Sequence, residues 1–184
     1  MDDNSVILDS RNWTLTLNGR IRLAARTLAM ILSEIYLPGP RDTKNIGLRL
    51  GRQIHESLLS GRLTLPFLIT LTGDLGAGKT TLCQGLGEAL EVAEPAEIVS
   101  PTFTLANEYR GKWDIYHLDI YRLANPDQFY EAGLDEYLYR PGLTVVEWPE
   151  KMPVGFWPEK RLDLVLTFQD DGRLLKAVGG EIEH

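Results

Sequence analysis

The segment Leu71–Leu82, LTGDLGAGKTTL, limits what this chain can fold into more than any other stretch. Gly73, Gly78, Lys79 and Thr80 satisfy G-x-x-x-x-G-K-[ST], a loop that belongs between a strand that delivers the chain and a helix that carries it away. Both flanks are legible. Phe67–Thr72 is an apolar run of strand type, and Lys79–Leu90 carries Leu82, Leu86 and Leu90 at helical spacing. Gly73, Gly76 and Gly78 let the backbone turn its N–H groups inward onto a phosphate, and the helix N-terminus behind them adds a favourable partial charge. Asp74, Leu75, Ala77 and Thr81 fall in the same phosphate-binding stretch. Lys79 is expected to reach the β- and γ-oxygens of a nucleotide, and the Thr80 hydroxyl to sit on Mg²⁺.

A phosphate loop also needs a carboxylate at the tip of a neighbouring strand to hold the metal shell. LTVVEW offers Glu147 at such a tip, with Trp148 next to it as either a core residue or a lid near the nucleotide. In IYHLDIYRL, strand alternation sends Tyr116, Leu118 and Ile120 to one face and His117, Asp119 and Tyr121 to the other. The first set reads as core. The second suits either a surface lining a site or an open, solvated face. Asp119 would orient water or a metal-bound water, and His117 would donate to phosphate or bond a neighbouring carboxylate. In SPTF, Ser100–Phe103, Pro101 holds Ser100 extended. Thr102 then either faces the γ-phosphate as switch threonines do, or belongs to a plain rigid turn.

The remaining segments alternate strand and helix. Ile35–Leu37 reads as a short strand. Asp42 or Thr43 is expected to cap a helix carrying Ile46, Leu50, Ile54 and Leu58 on one face. TFTLANEYR and WDIYHLDIYRL, joined at Gly111-Lys112, suggest an antiparallel hairpin. Asn125 and Pro126 open a helix that Gly133 ends. RLDLVLTF, the turn QDDG and RLLKAV form a final β pair. The expected fold is α/β: a P-loop NTPase-like mixed sheet, a parallel core with antiparallel hairpin additions and helices on both faces. Residues 35–184 read as one ATPase domain and residues 1–34 as an N-terminal extension. Within that extension a hairpin turning at Asn18-Gly19 and a helix from Leu23 compete for space.

Composition narrows the function. The chain has 184 residues and a net charge of −7, with no Lys/Arg run long enough to show a basic patch, so direct nucleic-acid binding is disfavoured. Cys83 is the only cysteine and reads as a reduced, buried thiol. The acidic start MDDNSVILDS lacks a basic n-region, and Leu23–Leu37 is too short and too charged to span a bilayer, so a cytoplasmic protein is the default. The absence of N-K-x-D or T-K-x-D argues against a GTPase, and the absence of L-S-G-G-Q against an ABC-type ATPase.

Taken together, GDLGAGKTT, SPTFTLANEY, YHLDIYRL, EAGLDEYL and VVEWPEKMP resemble the bacterial TsaE family in order and spacing. LPGPRDTKNIG resembles that family's opening Leu-Pro, with a Thr four residues before a Gly. The resemblance covers roughly Ile35 to the C-terminus. It implies a P-loop ATPase, using ATP and Mg²⁺, needed to make N6-threonylcarbamoyladenosine in tRNAs that read codons beginning with A. It also implies that the protein works with TsaD, which carries the transfer chemistry, and TsaB, and meets tRNA only through that complex. By position, Lys79 and Thr80 match the phosphate-loop pair, Glu147 the Mg²⁺ carboxylate, Asp119 the hydrolytic aspartate and Thr43 a threonine near the adenine. A small nucleotide-kinase-like phosphotransferase is the alternative. It would want lid arginines, and only Arg122 adjoins the candidate site. A scaffold that binds ATP only as a folding ligand is a third reading.

Overall fold

The computed structural model describes residues 34–155, 158 and 160–178. The hairpin and helix expected before Glu34 lie outside these residues. The described elements are β1 (Ile35–Leu37), α1 (Pro40–Leu59), β2 (Phe67–Thr72), α2 (Lys79–Ala89), β3 (Ala106–Tyr109), β4 (Ile115–Asp119), α3 (Asp127–Glu131), β5 (Leu143–Glu147), β6 (Arg161–Gln169) and β7 (Gly172–Ala177). All seven strands join one sheet in the order β1-β7-β6-β2-β5-β4-β3. Strands β6, β2, β5 and β4 run parallel, while β7, β1 and β3 pair antiparallel at the two sides. This is the mixed sheet anticipated from the sequence, with a parallel centre and antiparallel additions.

Strand alternation divides the core. Ile69, Leu71, Ile115, Val145, Leu164 and Leu166 face α1 and α2, against Ile46, Leu50, Ile54, Leu82 and Leu86. Leu68, Tyr116, Leu118 and Val146 face the other way, against Phe129, Leu134, Leu138 and Met152. That second face is covered by α3 and by short 3₁₀ turns at Leu134–Leu138 and Pro149–Lys151. The N-cap of α3 is Pro126 rather than Asn125, though Asn125 Oδ1 accepts the Gln128 N–H at 3.1 Å, and Gly133 follows that helix in the left-handed region at φ 66°.

The start of α1 differs from expectation, and the structure decides between the two readings of the polar face of β4. Helix α1 begins before Asp42 and Thr43: Gly39 is its N-cap, Pro40 occupies the first turn, and the Asp42 carboxylate accepts the Gly39 N–H at 3.1 Å. Proline has no N–H to lose there and its φ already suits a helix, so it starts the helix earlier than a polar cap would. Of the two readings of the His117/Asp119 face of β4, the open, solvated one does not form; both residues are buried. Pairing β4 parallel to β5 puts it inside the sheet, and α2 covers that face.

The two long helices touch backbone to backbone. A Cβ on Gly85 would lie 2.1 Å from the Lys44 carbonyl oxygen, and one on Gly47 would lie 2.2 Å from that of Leu82. This close crossing holds α2, and with it the loop at its N-terminus, over the C-terminal ends of the parallel strands.

Candidate nucleotide site

Parallel strands bring their C-terminal ends to one edge, and the candidate residues gather there because three of those ends adjoin. Strand β2 ends in the glycine loop. Its neighbour β5 ends at Glu147, which lies beside Leu71 in register, and β4 ends at Asp119 beside Glu147. Gly73 has φ 152°, and a Cβ there would meet the Leu166 carbonyl oxygen at 2.2 Å. Gly78 caps α2 at φ 106° with no side-chain acceptor at the cap, which leaves the first helical N–H groups available to an anion. Asp74, Leu75 and Gly76 are exposed at the tip of the loop, while Ala77 is buried beneath it and Thr81 is half-buried in the first turn of α2.

Lys79 is buried and held from several sides. Its Nζ donates to the carbonyls of Gly73 at 2.7 Å and Asp74 at 3.1 Å, stands 3.7 Å from Glu147 Oε2, and lies 4.4 Å from the centroid of Trp148. Thr80 Oγ1 faces Glu147 Oε1 at 3.5 Å, so two oxygen donors of the kind a hard cation takes stand side by side. His117 Nε2 bonds Glu147 Oε1 at 2.8 Å and lies 3.8 Å from Cys83 Sγ. Of the two roles open to His117, the contact to a carboxylate is the one present. Burial opposes charge on this imidazole, but the adjacent Cys83 sulfur and the Glu147 carboxylate outweigh it and hold its pKa well above the ordinary value.

Asp119 accepts from Ser100 Oγ at 2.7 Å and Thr102 Oγ1 at 2.6 Å through Oδ2, and from the Tyr121 N–H at 3.0 Å through Oδ1. The SPTF loop is thus tied to the aspartate. Trp148 sits in the left-handed region at φ 64°, an uncommon backbone for a bulky residue, with its ring 4.8 Å from that of Tyr121. It therefore lies beside Lys79 and walls the loop. Tyr121 follows the end of β4, is partly exposed, and reaches the site through this stacking.

Thr43 is fully buried. Its hydroxyl donates to the Gly39 carbonyl at 3.3 Å, and its methyl would stand 3.2 Å from a Cβ on Gly78. It touches the end of the glycine loop through packing, with its hydroxyl turned to its own helix.

Three partners had no signal in the sequence. Arg173 of β7 braces the loop from outside, its Nε donating to the Ala77 carbonyl at 2.9 Å. Ser100 stands in SPTF, but nothing local points it at Asp119. Cys83 meets His117 only because α2 lies across β4.

A family model described as "Threonylcarbamoyl adenosine biosynthesis protein TsaE" matches residues 37–175. The chain is 43% identical over 146 residues to a tRNA threonylcarbamoyladenosine biosynthesis protein TsaE of a Nostoc species, covering 77% of this chain and 82% of that one. It is 40% identical over 137 residues to the Bacillus subtilis protein of the same name, covering 70% and 84%. The crystal structure of Bacillus subtilis YdiB superposes with a TM-score of 0.55 at 31% identity, covering 78% of this chain and 82% of that one. Glycine loop, strand-end carboxylates, sheet and sequence agree: the chain belongs to the TsaE family, whose proteins serve tRNA threonylcarbamoyladenosine biosynthesis.

Proposed function

We propose that the protein is a Mg²⁺-dependent ATPase with low intrinsic turnover. It would work in the cytoplasm with TsaD and TsaB to form N6-threonylcarbamoyladenosine in tRNAs that read codons beginning with A, meeting tRNA only through that complex. Residues 35–184 are its catalytic domain and residues 1–34 an extension outside it. The observation that carries the reading is the convergence of Lys79, Thr80 and Glu147 at the mouth of the loop, with Asp119 on the adjoining strand end.

In this reading the loop N–H groups and Lys79 hold the β- and γ-phosphates, and Trp148 closes one side. Thr80 and Glu147 would hold Mg²⁺, which when bound neutralises charge that develops on the phosphate oxygens. Asp119 orients the attacking water once the hydroxyls of Ser100 and Thr102 release it, and Thr102 then turns to the γ-phosphate. The adenine lies near the start of α1, where Thr43 contributes by shaping the floor under Gly78. No guanine-reading motif is present in the sequence, so ATP is preferred over GTP.

The kinase-like alternative draws no support from the arginines. Arg122 lies over the exposed Phe103 ring, 4.3 Å from its centroid, and Arg173 is engaged with loop carbonyls. The deciding experiment is ATP turnover by the protein alone and with TsaD and TsaB. We expect slow phosphate release that the partners accelerate, and none from Lys79→Ala. Fast turnover unaffected by the partners, or full turnover by Lys79→Ala, would defeat the proposal.

A further inference from the structure

We infer that Cys83, His117 and Glu147 form a binding site for a zinc-class divalent cation, and that occupying it antagonises Mg·ATP. The antagonism rests on the nucleotide reading above; the site itself does not. One donor atom from each residue comes from α2, β4 and β5 respectively, and all three atoms lie within 4.8 Å of one another in the buried floor beneath the glycine loop. The proposed hydrolysis uses neither Cys83 nor His117 directly.

The donor set selects the metal. Mg²⁺ takes oxygen and keeps several waters, so a thiolate and an imidazole suit it poorly; zinc and its close relatives take sulfur, nitrogen and a carboxylate oxygen readily. Two of the three spacings are near what such an ion needs, and the widest, from Cys83 Sγ to the Glu147 carboxylate at up to 4.8 Å, closes as that carboxylate turns. With bonds of about 2.0–2.3 Å, tetrahedral geometry separates donors by roughly 3.3–3.8 Å. Sγ and Nε2 already stand 3.8 Å apart. Nε2 and Glu147 Oε1, at 2.8 Å, must spread by about half an ångström, which rotation of the carboxylate supplies. A water completes the shell.

Charge balances on binding. The thiol proton and the proton on Nε2 leave to solvent, and a thiolate and a carboxylate then neutralise the dication in a water-poor setting. The remaining ring nitrogen, Nδ1, has no hydrogen-bond partner among the described residues. A histidine that holds zinc for structural purposes has its second nitrogen oriented by a carbonyl or carboxylate, so this is a reversible site rather than a folding centre. Its consequence is competition: Glu147 Oε1, which faces Thr80 at 3.5 Å, is held instead by the cation bound to His117 and Cys83.

The test uses Co²⁺ as a visible stand-in, titrated into the full-length reduced protein. The expected result is a saturable thiolate-to-cobalt charge-transfer band at one equivalent, bleached by added Zn²⁺. Cys83→Ser and Cys83→Ala should both lose it while keeping cooperative thermal melts and Mg·ATP binding. Absence of the band in the wild-type protein, or an undiminished band in both His117→Asn and Glu147→Gln, would overturn the site. Zn²⁺ should also weaken Mg·ATP binding to the wild-type protein and leave Cys83→Ser unaffected; equal affinity with and without Zn²⁺ would overturn the antagonism. A protein that gives the cobalt band but never binds ATP would instead defeat the nucleotide reading alone.

Discussion

Thr102 Oγ1 donates to Asp119 Oδ2 across 2.6 Å, and Ser100 Oγ donates to the same oxygen across 2.7 Å. The carboxylate proposed to orient water is therefore tied to the loop proposed to sense the γ-phosphate. Neither can take up its role without the other moving. This link offers a physical route by which a partner protein that reorders the loop would set the hydrolysis rate.

The two strand-end carboxylates should separate on substitution. Asp119→Asn is expected to spare ATP binding and lower turnover by about 10²–10⁴-fold, the range for a lost acid–base or positioning group. It should also loosen the loop, seen as faster hydrogen exchange at Thr102–Thr104. Glu147→Gln is expected to weaken Mg²⁺-dependent binding as well as hydrolysis, because it weakens a cation's anchor beside Thr80 and the charge opposite Lys79. Isothermal titration with and without Mg²⁺ distinguishes them, and matching binding defects would mean that both carboxylates share the metal.

Trp148 should dominate the fluorescence response to Mg·ATP. Its ring lies 4.4 Å from Lys79 Nζ, and a bound triphosphate would draw that ammonium from its present carbonyl partners. Trp113 lies by His55 with ring centroids 6.4 Å apart, near the far end of α2, and should respond little. A Trp148→Phe variant that keeps the whole signal would refute this assignment.

Gly85→Ala should destabilise the fold, by about 1–3 kcal/mol or more, because the added methyl meets backbone that cannot rotate away. The obstacle is the Lys44 carbonyl at 2.1 Å, where α2 crosses α1. Thermal melts would show the loss. The same change at Gly133, where nothing lies within 4 Å, meets no packing obstacle and strains only the backbone at φ 66°. Equal melting temperatures for Gly85→Ala and the wild-type protein would contradict the close crossing.

Acid should weaken one surface cluster in a defined direction. Glu108 accepts from Arg140 Nη1 at 2.6 Å and from Tyr137 Oη at 3.2 Å. The Arg140 hydrogen bond is the main cause that lowers its pKa below the ordinary value of 4.5. A depressed carboxylate pKa contributes stability that is present above 4.5 and is lost as pH falls through the lower folded value. The advantage of wild type over Glu108→Gln in thermal melts should therefore be constant near neutrality and shrink below pH 4.5. An advantage that grows with acid would reverse the assignment.

Much of the fold was legible because its signals are local. The glycine loop demanded a strand before it and a helix after it, and β2 and α2 stand there. Alternation along IYHLDIYRL assigned the faces of β4: Leu118 packs toward Phe129, while on the other face His117 reaches Cys83 of α2 and Asp119 reaches the SPTF loop. Spacing of turn residues gave the β3–β4 and β6–β7 hairpins. These features depend on hydrogen bonds and side-chain periods within a few residues, which sequence records directly.

What surrounds each candidate side chain depended on contacts distant in the chain, and only the tertiary structure decided it. Whether the polar face of β4 met water or protein turned on β4 joining β5 in parallel under α2, which no local pattern states. Arg173 donates to a loop carbonyl 96 residues earlier because β7 pairs with β6, the strand next to β2. Cys83, a helical residue with no local signal of chemistry, meets an imidazole 34 residues later because a close glycine crossing sets α2 over the sheet. Local periodicity determined which elements form and which way their side chains point; the packing of those elements determined which side chains meet, and so the charge and chemistry at the mouth of the loop.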